Sequence, residues 1–176
     1  EEKGYEADDI IGTVALKAGE EGFLTYMLTP EKDYGQLVRE NVFMYRPKFG
    51  NTGYDILGVE EIKQKYDLST PLQVIDLLGL MGDASDNIPG CPGVGEKTAI
   101  KLIKEYGSIE NLVANTNTLK GAMKKKVEEN KEKIVFSTFL ATIKTDVPTT
   151  IDFENLKVKE PNEEQLRSLF DELEFK

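Results

Sequence analysis

Leu80-Met81-Gly82-Asp83-Ala84-Ser85-Asp86-Asn87-Ile88-Pro89-Gly90-Cys91-Pro92-Gly93-Val94-Gly95-Glu96-Lys97-Thr98-Ala99 decides the fold of this chain. Two carboxylates three positions apart lead into a glycine-rich turn, and the turn leads into a segment with helical spacing. Hard divalent cations such as magnesium take oxygen ligands, so the carboxylates suit a metal. Glycines let backbone N–H groups approach a phosphate, and a following helix N-terminus favours the anion. One short segment therefore offers a place for a metal and a place for a phosphodiester strand.

Upstream, Leu72, Val74, Ile75, Leu77, Leu78 and Leu80 are apolar nearly all round a helix, which predicts a buried helix over 71–80. Thr70-Pro71-Leu72-Gln73 supplies an N-cap, a Pro at the first helical position and a capping-box Gln. Farther back, the spacing predicts a helix over 7–19, a buried parallel strand over 23–28, a short helix over 33–39 and a weaker strand over 42–45. Residues 46–57 read as a loop or hairpin, and 59–66 as a helix. Downstream of the turn, helices are expected over 97–106 (stopped by Gly107), 109–114 (capped by Ser108), 120–130 and 131–144. Residues 149–158 read as irregular. Asn162 caps a last helix over 163–173, with Leu166, Leu169, Phe170 and Leu173 on one face. Phe136, Phe139, Phe153, Phe170 and Phe175 are expected in the core. The fold class is α/β, a partial parallel sheet over 1–80, followed by an all-α region over 81–148 and a tail over 149–176.

The 176 residues carry a net charge of −10, one cysteine and no histidine. Zinc sites built on histidine and Ser-His or Cys-His triads are thereby excluded within this chain. Cys91 alone permits no internal disulfide, which fits a reducing cytoplasm. No run approaches the ~20 apolar residues of a membrane span. The acidic balance argues against nucleic acid, but its distribution weakens the objection. Lysines gather at Lys97, Lys101 and Lys104, at Lys120 and Lys124 to Lys126, and at Lys131 and Lys133, while much of the acid lies elsewhere. The chain starts Glu1-Glu2-Lys3-Gly4 and enters an acidic motif within six residues, so a fragment of a longer protein is expected.

Three acidic motifs precede the turn: Glu6-Ala7-Asp8-Asp9, Glu31-Lys32-Asp33, and Asp83 with Asp86. Each has a plain explanation. Acids at a helix start complement its dipole, acids after a strand suit a solvated turn, and Asp83 and Asp86 suit an Asx turn or cap. Three clusters beside apolar elements are harder to explain together, because converging carboxylates repel unless cations neutralise them. Gly93-Val94-Gly95 before Glu96-Lys97-Thr98-Ala99 resembles the hairpin of a helix-hairpin-helix DNA-binding motif, with Lys97 and Lys101 placed to reinforce a phosphate contact. A plain interhelical linker is the alternative, as a solvated helix face is for lysines 120–133.

With Gly4-Tyr5-Glu6-Ala7-Asp8-Asp9-Ile10-Ile11-Gly12-Thr13, Lys32-Asp33-x-x-Gln36-Leu37-Val38, the 80–99 segment and Ala141-Thr142-Ile143-Lys144-Thr145-Asp146, the chain resembles the 5′→3′ exonuclease (flap endonuclease) domain of bacterial DNA polymerase I. The resemblance implies a PIN-like nuclease core and a helix-three-turn-helix region over about 86–107. It implies metal-dependent phosphodiester hydrolysis in primer removal and DNA repair, with two or three Mg2+ or Mn2+ ions and a K+ ion on the turn carbonyls. Glu6, Asp8, Asp9, Asp33, Asp83 and Asp86 match the family's catalytic acids, and these with Glu31 its metal ligands. Gly93, Val94, Gly95, Lys97, Thr98 and Lys101 match its DNA contacts. The implied partners are duplex DNA with a 5′ flap or single-stranded 5′ end and a polymerase part of the same parent chain, with no membrane, in the bacterial cytoplasm at the nucleoid. Family members usually carry Asp where this chain has Glu31. The family's N-terminal section, with its first strands, further aspartates and basic arch, is expected upstream, so the 176 residues alone are expected to bind duplex weakly and cleave poorly or not at all. Two other readings stay open: a helix-hairpin-helix DNA-binding fragment without catalysis, and a magnesium-dependent phosphohydrolase of small phosphoesters.

Overall fold

The computed structural model describes residues 2–48, 50 and 53–175. Helix α1 (Ala7–Glu20) is followed by strand β1 (Thr25–Leu28) and a 3₁₀ turn (Asp33–Leu37). Strands β2 (Val42–Pro47) and β3 (Tyr54–Leu57) and helix α2 (Val59–Tyr66) complete the front region. The sheet order is β1-β2-β3, with β1 parallel to β2 and β3 antiparallel to it. The sheet is therefore mixed, and of the loop or hairpin expected at 46–57 the structure has the hairpin, β2–β3, whose Phe49, Asn51 and Thr52 lie outside the described residues. Strand β1 is not buried on both faces: Tyr26 and Leu28 are exposed and only Met27 faces the core. Its apolar run ends on a strand with one face uncovered by this chain, which periodicity does not distinguish from a strand covered on both faces.

Helices α3 (Val74–Met81), α4 (Glu96–Tyr106), α5 (Ile109–Ala114), α6 (Gly121–Glu129) and α7 (Lys131–Ala141) form the second region. The Thr70 start signal opens a 3₁₀ turn at Pro71–Gln73 before α3. The Gln73 side-chain oxygen accepts from the amides of Ser69 (2.8 Å) and Thr70 (3.2 Å). Leu72 points to solvent because this 3₁₀ turn takes it off the buried face, whereas Val74, Leu77, Leu78 and Leu80 are fully buried. Helix α3 packs chiefly against α7 and α4. Ser108 accepts from the Asn111 amide and caps α5 as expected.

One core runs through both regions, from Leu16 and Met44 through Leu77 to Ile134. Side chains spaced by four along α1 clasp the chain that follows α7. Asp9 accepts from the Lys144 amide (2.8 Å), the Thr13 hydroxyl accepts from the Val147 amide (3.2 Å), and Lys17 donates to the Thr149 carbonyl (3.3 Å). Buried Gln36 completes the strap, donating to the Ala141 carbonyl (2.8 Å) and accepting from the Ile143 amide (3.0 Å).

The expected aromatic core is overturned. Phe136, Phe139, Phe170 and Phe175 are exposed, and Phe153 is half-buried against Phe23. Helix α7 turns Ile134, Ser137 and Ala141 inward toward α3, leaving Phe136 and Phe139 on its outer face. Helix α8 (Glu163–Glu172), capped by Asn162, has no buried residue, so Leu166, Leu169, Phe170 and Leu173 lie open along it.

Candidate metal and phosphate site

The acidic cleft forms where three elements meet. The start of α1 brings Glu6, Asp8 and Asp9. The chain beyond β1 brings Glu31 and Asp33, and the loop after α3 brings Asp86. Glu6, Asp8, Asp9, Asp33 and Asp86 line a cleft of about 230 Å³, closed on its other side by Ile88 and by Leu140 to Ile143 of the strap. One carboxylate oxygen from each of Asp8, Glu31 and Asp33 lies within 4.8 Å of the others.

That proximity has an electrostatic cost. Burial, then the charges of Asp8 and Glu31, push the Asp33 carboxyl up to about 6. Glu31 is also raised, first by burial and then by Asp8, Asp86 and Asp83. Such shifts mark carboxylates held together without enough positive charge. The Tyr34 hydroxyl donates to Asp8 Oδ1 (2.7 Å), and burial with that bond pushes its own pKa up. A tyrosine held protonated there fixes one Asp8 oxygen and leaves the other free. The hard, oxygen-only donor set fits a divalent cation of the magnesium or manganese kind.

Two predicted site residues stand apart. Both Asp9 oxygens accept backbone N–H groups, Oδ2 from Glu6 (3.1 Å) and Oδ1 from Lys144 (2.8 Å). Asp9 thus caps α1 and anchors the strap while lining the cleft. Asp83 is only 6% exposed and pairs with Lys32 at 2.7 Å. Burial opposes its charge, but the bonds from Lys32 and the Ser85 amide outweigh it and hold the carboxyl below its ordinary value. Asp83 and Asp86 are therefore separated in role: the first is neutralised within the protein, the second faces the cleft. Their loop is a tight hairpin in which the Asp83 and Ile88 backbones bond reciprocally (2.7 and 2.9 Å). Gly82 permits it, having φ +77° and lying so close to the returning strand that a Cβ would sit 2.6 Å from the Ile88 carbonyl.

The loop then enters the glycine turn. Val94 is buried and its amide donates to the Cys91 carbonyl (3.0 Å), so Val94 anchors the turn instead of facing a ligand. Among the described residues, the amides of Gly95, Glu96 and Lys97 have no acceptor. They open α4, and three free N–H groups at an exposed helix start have the chemistry to receive an anion. Lys97, Thr98 and Lys101 flank it in a groove with Lys120. Sequence reasoning missed the partners Lys32 and Tyr34 and the strap's use of Gln36. The sequence interval Lys32-Asp33-x-x-Gln36 contained part of that signal.

Comparison with known proteins agrees with this layout. The family described as "5′-3′ exonuclease, C-terminal SAM fold" matches residues 69–164, and "5′-3′ exonuclease, N-terminal resolvase-like domain" matches 1–67. DNA polymerase I of Bacillus subtilis is 44% identical over 172 residues, 97% of this chain and 19% of that protein. A bacteriophage T5 flap endonuclease solved in complex with DNA and metal ions superposes with a TM-score of 0.70 at 22% identity, over 81% of this chain and 51% of that one. The catalytic core of Rad2 in complex with DNA substrate gives 0.57 at 18%, over 94% and 56%. The two structural likenesses are likenesses of fold. The chain spans about a fifth of the length of the curated relatives it matches.

Proposed function

Because this chain belongs to the 5′-3′ exonuclease family, we propose that it is a segment of the nuclease domain of a bacterial DNA polymerase I. In this reading it acts inside the cell on duplex DNA carrying a 5′ flap or single-stranded 5′ end. Residues 1–80 belong to the PIN-like core, 81–148 form the helix-three-turn-helix grip, and 149–176 are a tail. The observation that carries the reading is the convergence of Asp8, Glu31 and Asp33 within 4.8 Å, beside Asp86 of the loop that leads into the glycine turn.

Bound Mg2+ or Mn2+ ions, two or three in number, would activate water and offset charge on the scissile phosphate. Asp8, Glu31, Asp33 and Asp86 would hold them, with Glu6 at the cleft mouth. Asp9 and Asp83 keep the surrounding backbone in place, Asp9 through the strap and Asp83 through Lys32. Tyr34 orients Asp8. Glu31 reaches the cluster from a more exposed position than Asp33, which suits its longer side chain. Gly95, Lys97, Thr98 and Lys101 hold the duplex backbone without reading bases. A potassium ion at the turn would compete with the Lys126 ammonium, which already takes the Gly93 carbonyl at 3.2 Å.

Fluorescence anisotropy with a labelled 5′-flap duplex tests binding by this chain. Flap cleavage with Mn2+ by the full polymerase carrying Asp8→Ala or Asp33→Ala tests the chemistry. The reading expects duplex binding here and lost cleavage there. Preferred turnover of a small phosphoester, with no affinity for duplex, would refute it.

A further inference from the structure

Three lysines in succession lie on α6, and the structure treats the third differently. Lys124 and Lys125 approach Glu128 and Glu129, each four residues on, at 3.9 and 3.8 Å. Lys126 has Asn130 at that position, and Asn130 donates to the Lys126 carbonyl (2.8 Å). Among the described residues no carboxylate pairs with Lys126. Its side chain crosses instead to the glycine turn and donates to the Gly93 carbonyl at 3.2 Å. The approach is close on both sides of that peptide: Gly93 has φ +72°, and a Cβ on it would lie 2.6 Å from Lys126 Nζ. The α6 backbone is tethered to the same turn, because the Lys126 carbonyl faces the Cys91 thiol at 4.0 Å.

We propose that Lys126 is a positioning residue for the phosphate grip: its ammonium is a resident cation that holds the Gly93 carbonyl and thereby sets the direction of the Gly95, Glu96 and Lys97 amides. This rests on the glycine turn being the duplex-binding element. A charged donor on a carbonyl is a strong hydrogen bond, and Gly93 is two residues from the first free amide. A carbonyl that loses its cation leaves the φ-positive Gly93 held only from its other side, by the buried Val94, and the amides downstream lose part of their common aim. Lys126 acts on DNA through the turn, not by touching a phosphate, so its removal should be repaired by any small cation able to sit on the vacated carbonyl.

The test is anisotropy with a labelled duplex on the 176-residue chain, comparing wild type with Lys126→Ala and Lys126→Met at constant ionic strength. Both variants should bind about tenfold more weakly. Methylammonium or K+ should restore Lys126→Ala, choline should not, and wild type should be indifferent to the cation. In choline chloride, whose cation does not rescue, the slope of log K against log salt should match wild type in both variants, whereas loss of a direct phosphate contact lowers it by about 0.9. Lys126→Met keeps the aliphatic stem, and thermal unfolding of both variants separates loss of grip from loss of fold. Unchanged affinity, a lowered slope, or loss without cation rescue in a folded variant would overturn the proposal. Failure of wild type to bind duplex at all would instead refute the grip itself.

Discussion

The acidic cleft and the glycine turn share one loop, which carries Asp86 into the first and leads on to the second, yet they treat charge in opposite ways. Asp8, Glu31 and Asp33 stand within 4.8 Å with no cationic partner among the described residues, and Asp33 is pushed up to about 6. At the turn, the chain provides the counter-charge itself, with Lys126 on the Gly93 carbonyl. Asp83 stands between the two and resembles the turn, since Lys32 neutralises it. The contrast separates carboxylates that repel one another from groups whose counter-charge is built in. Burial alone does not sort them: Asp83 is the least exposed of these acids and is nevertheless held below its ordinary value.

The strongest way to break this contrast is to remove one of the repelling carboxylates. Asp8→Ala and Asp33→Ala should each weaken Mn2+ binding by at least ~100-fold, given that even residues supporting a ligand contribute ~10–100-fold. Calorimetry reads this directly, and Asp9→Asn should cost far less. Next in size is the strap that closes the cleft. Gln36→Leu leaves a buried carbonyl and a buried amide unsatisfied and should destabilise the chain by about 2–4 kcal/mol, measured by denaturant unfolding. Asp83→Ala tests the built-in pair. Lys32 is partly exposed, so the loss should be about 1–2 kcal/mol, below the cost of breaking a fully buried pair. Asp86→Ala should leave the melting temperature unchanged while weakening the cation site.

The smallest effect concerns pH and has the opposite sign from an ordinary ion pair. Asp33 is raised from 3.8 to about 6 in the folded chain, so the native state binds the proton more tightly than the unfolded state. Its charging therefore destabilises the metal-free protein as pH rises between about 4 and 6. On lowering pH from 7.5 to 5.5, the metal-free melting temperature should rise slightly. Saturating Mn2+ should reverse that trend, because the cation binds the charged form. A metal-free melting temperature that falls across this window would contradict the assignment.

Local signals in the sequence were enough for α1, α2, α4, the Ser108 cap and the position of the glycine turn, because each depends on neighbours within a turn or two of helix. The acidic motifs were legible as motifs, but their division of labour was not. Lys32 meets Asp83, Gln36 meets Ile143, and Asp9 meets Lys144 across 107 and 135 residues in the last two cases. No periodicity reports such partners. The exposed face of β1 and the outward Phe136 and Phe139 escaped for a related reason: an apolar residue signals that burial is favourable, not that a partner element stands opposite.

The most direct test of the proposed cation site is a Mn2+ titration of this chain by calorimetry at pH 6 and pH 8, in buffers of different ionisation enthalpy. Cation binding to a carboxyl that titrates near 6 must release protons at pH 6 and almost none at pH 8. The account predicts saturable binding at both, tighter at pH 8, with proton release confined to pH 6. Absence of saturable binding, or equal affinity at both pH values with no proton release, would contradict it.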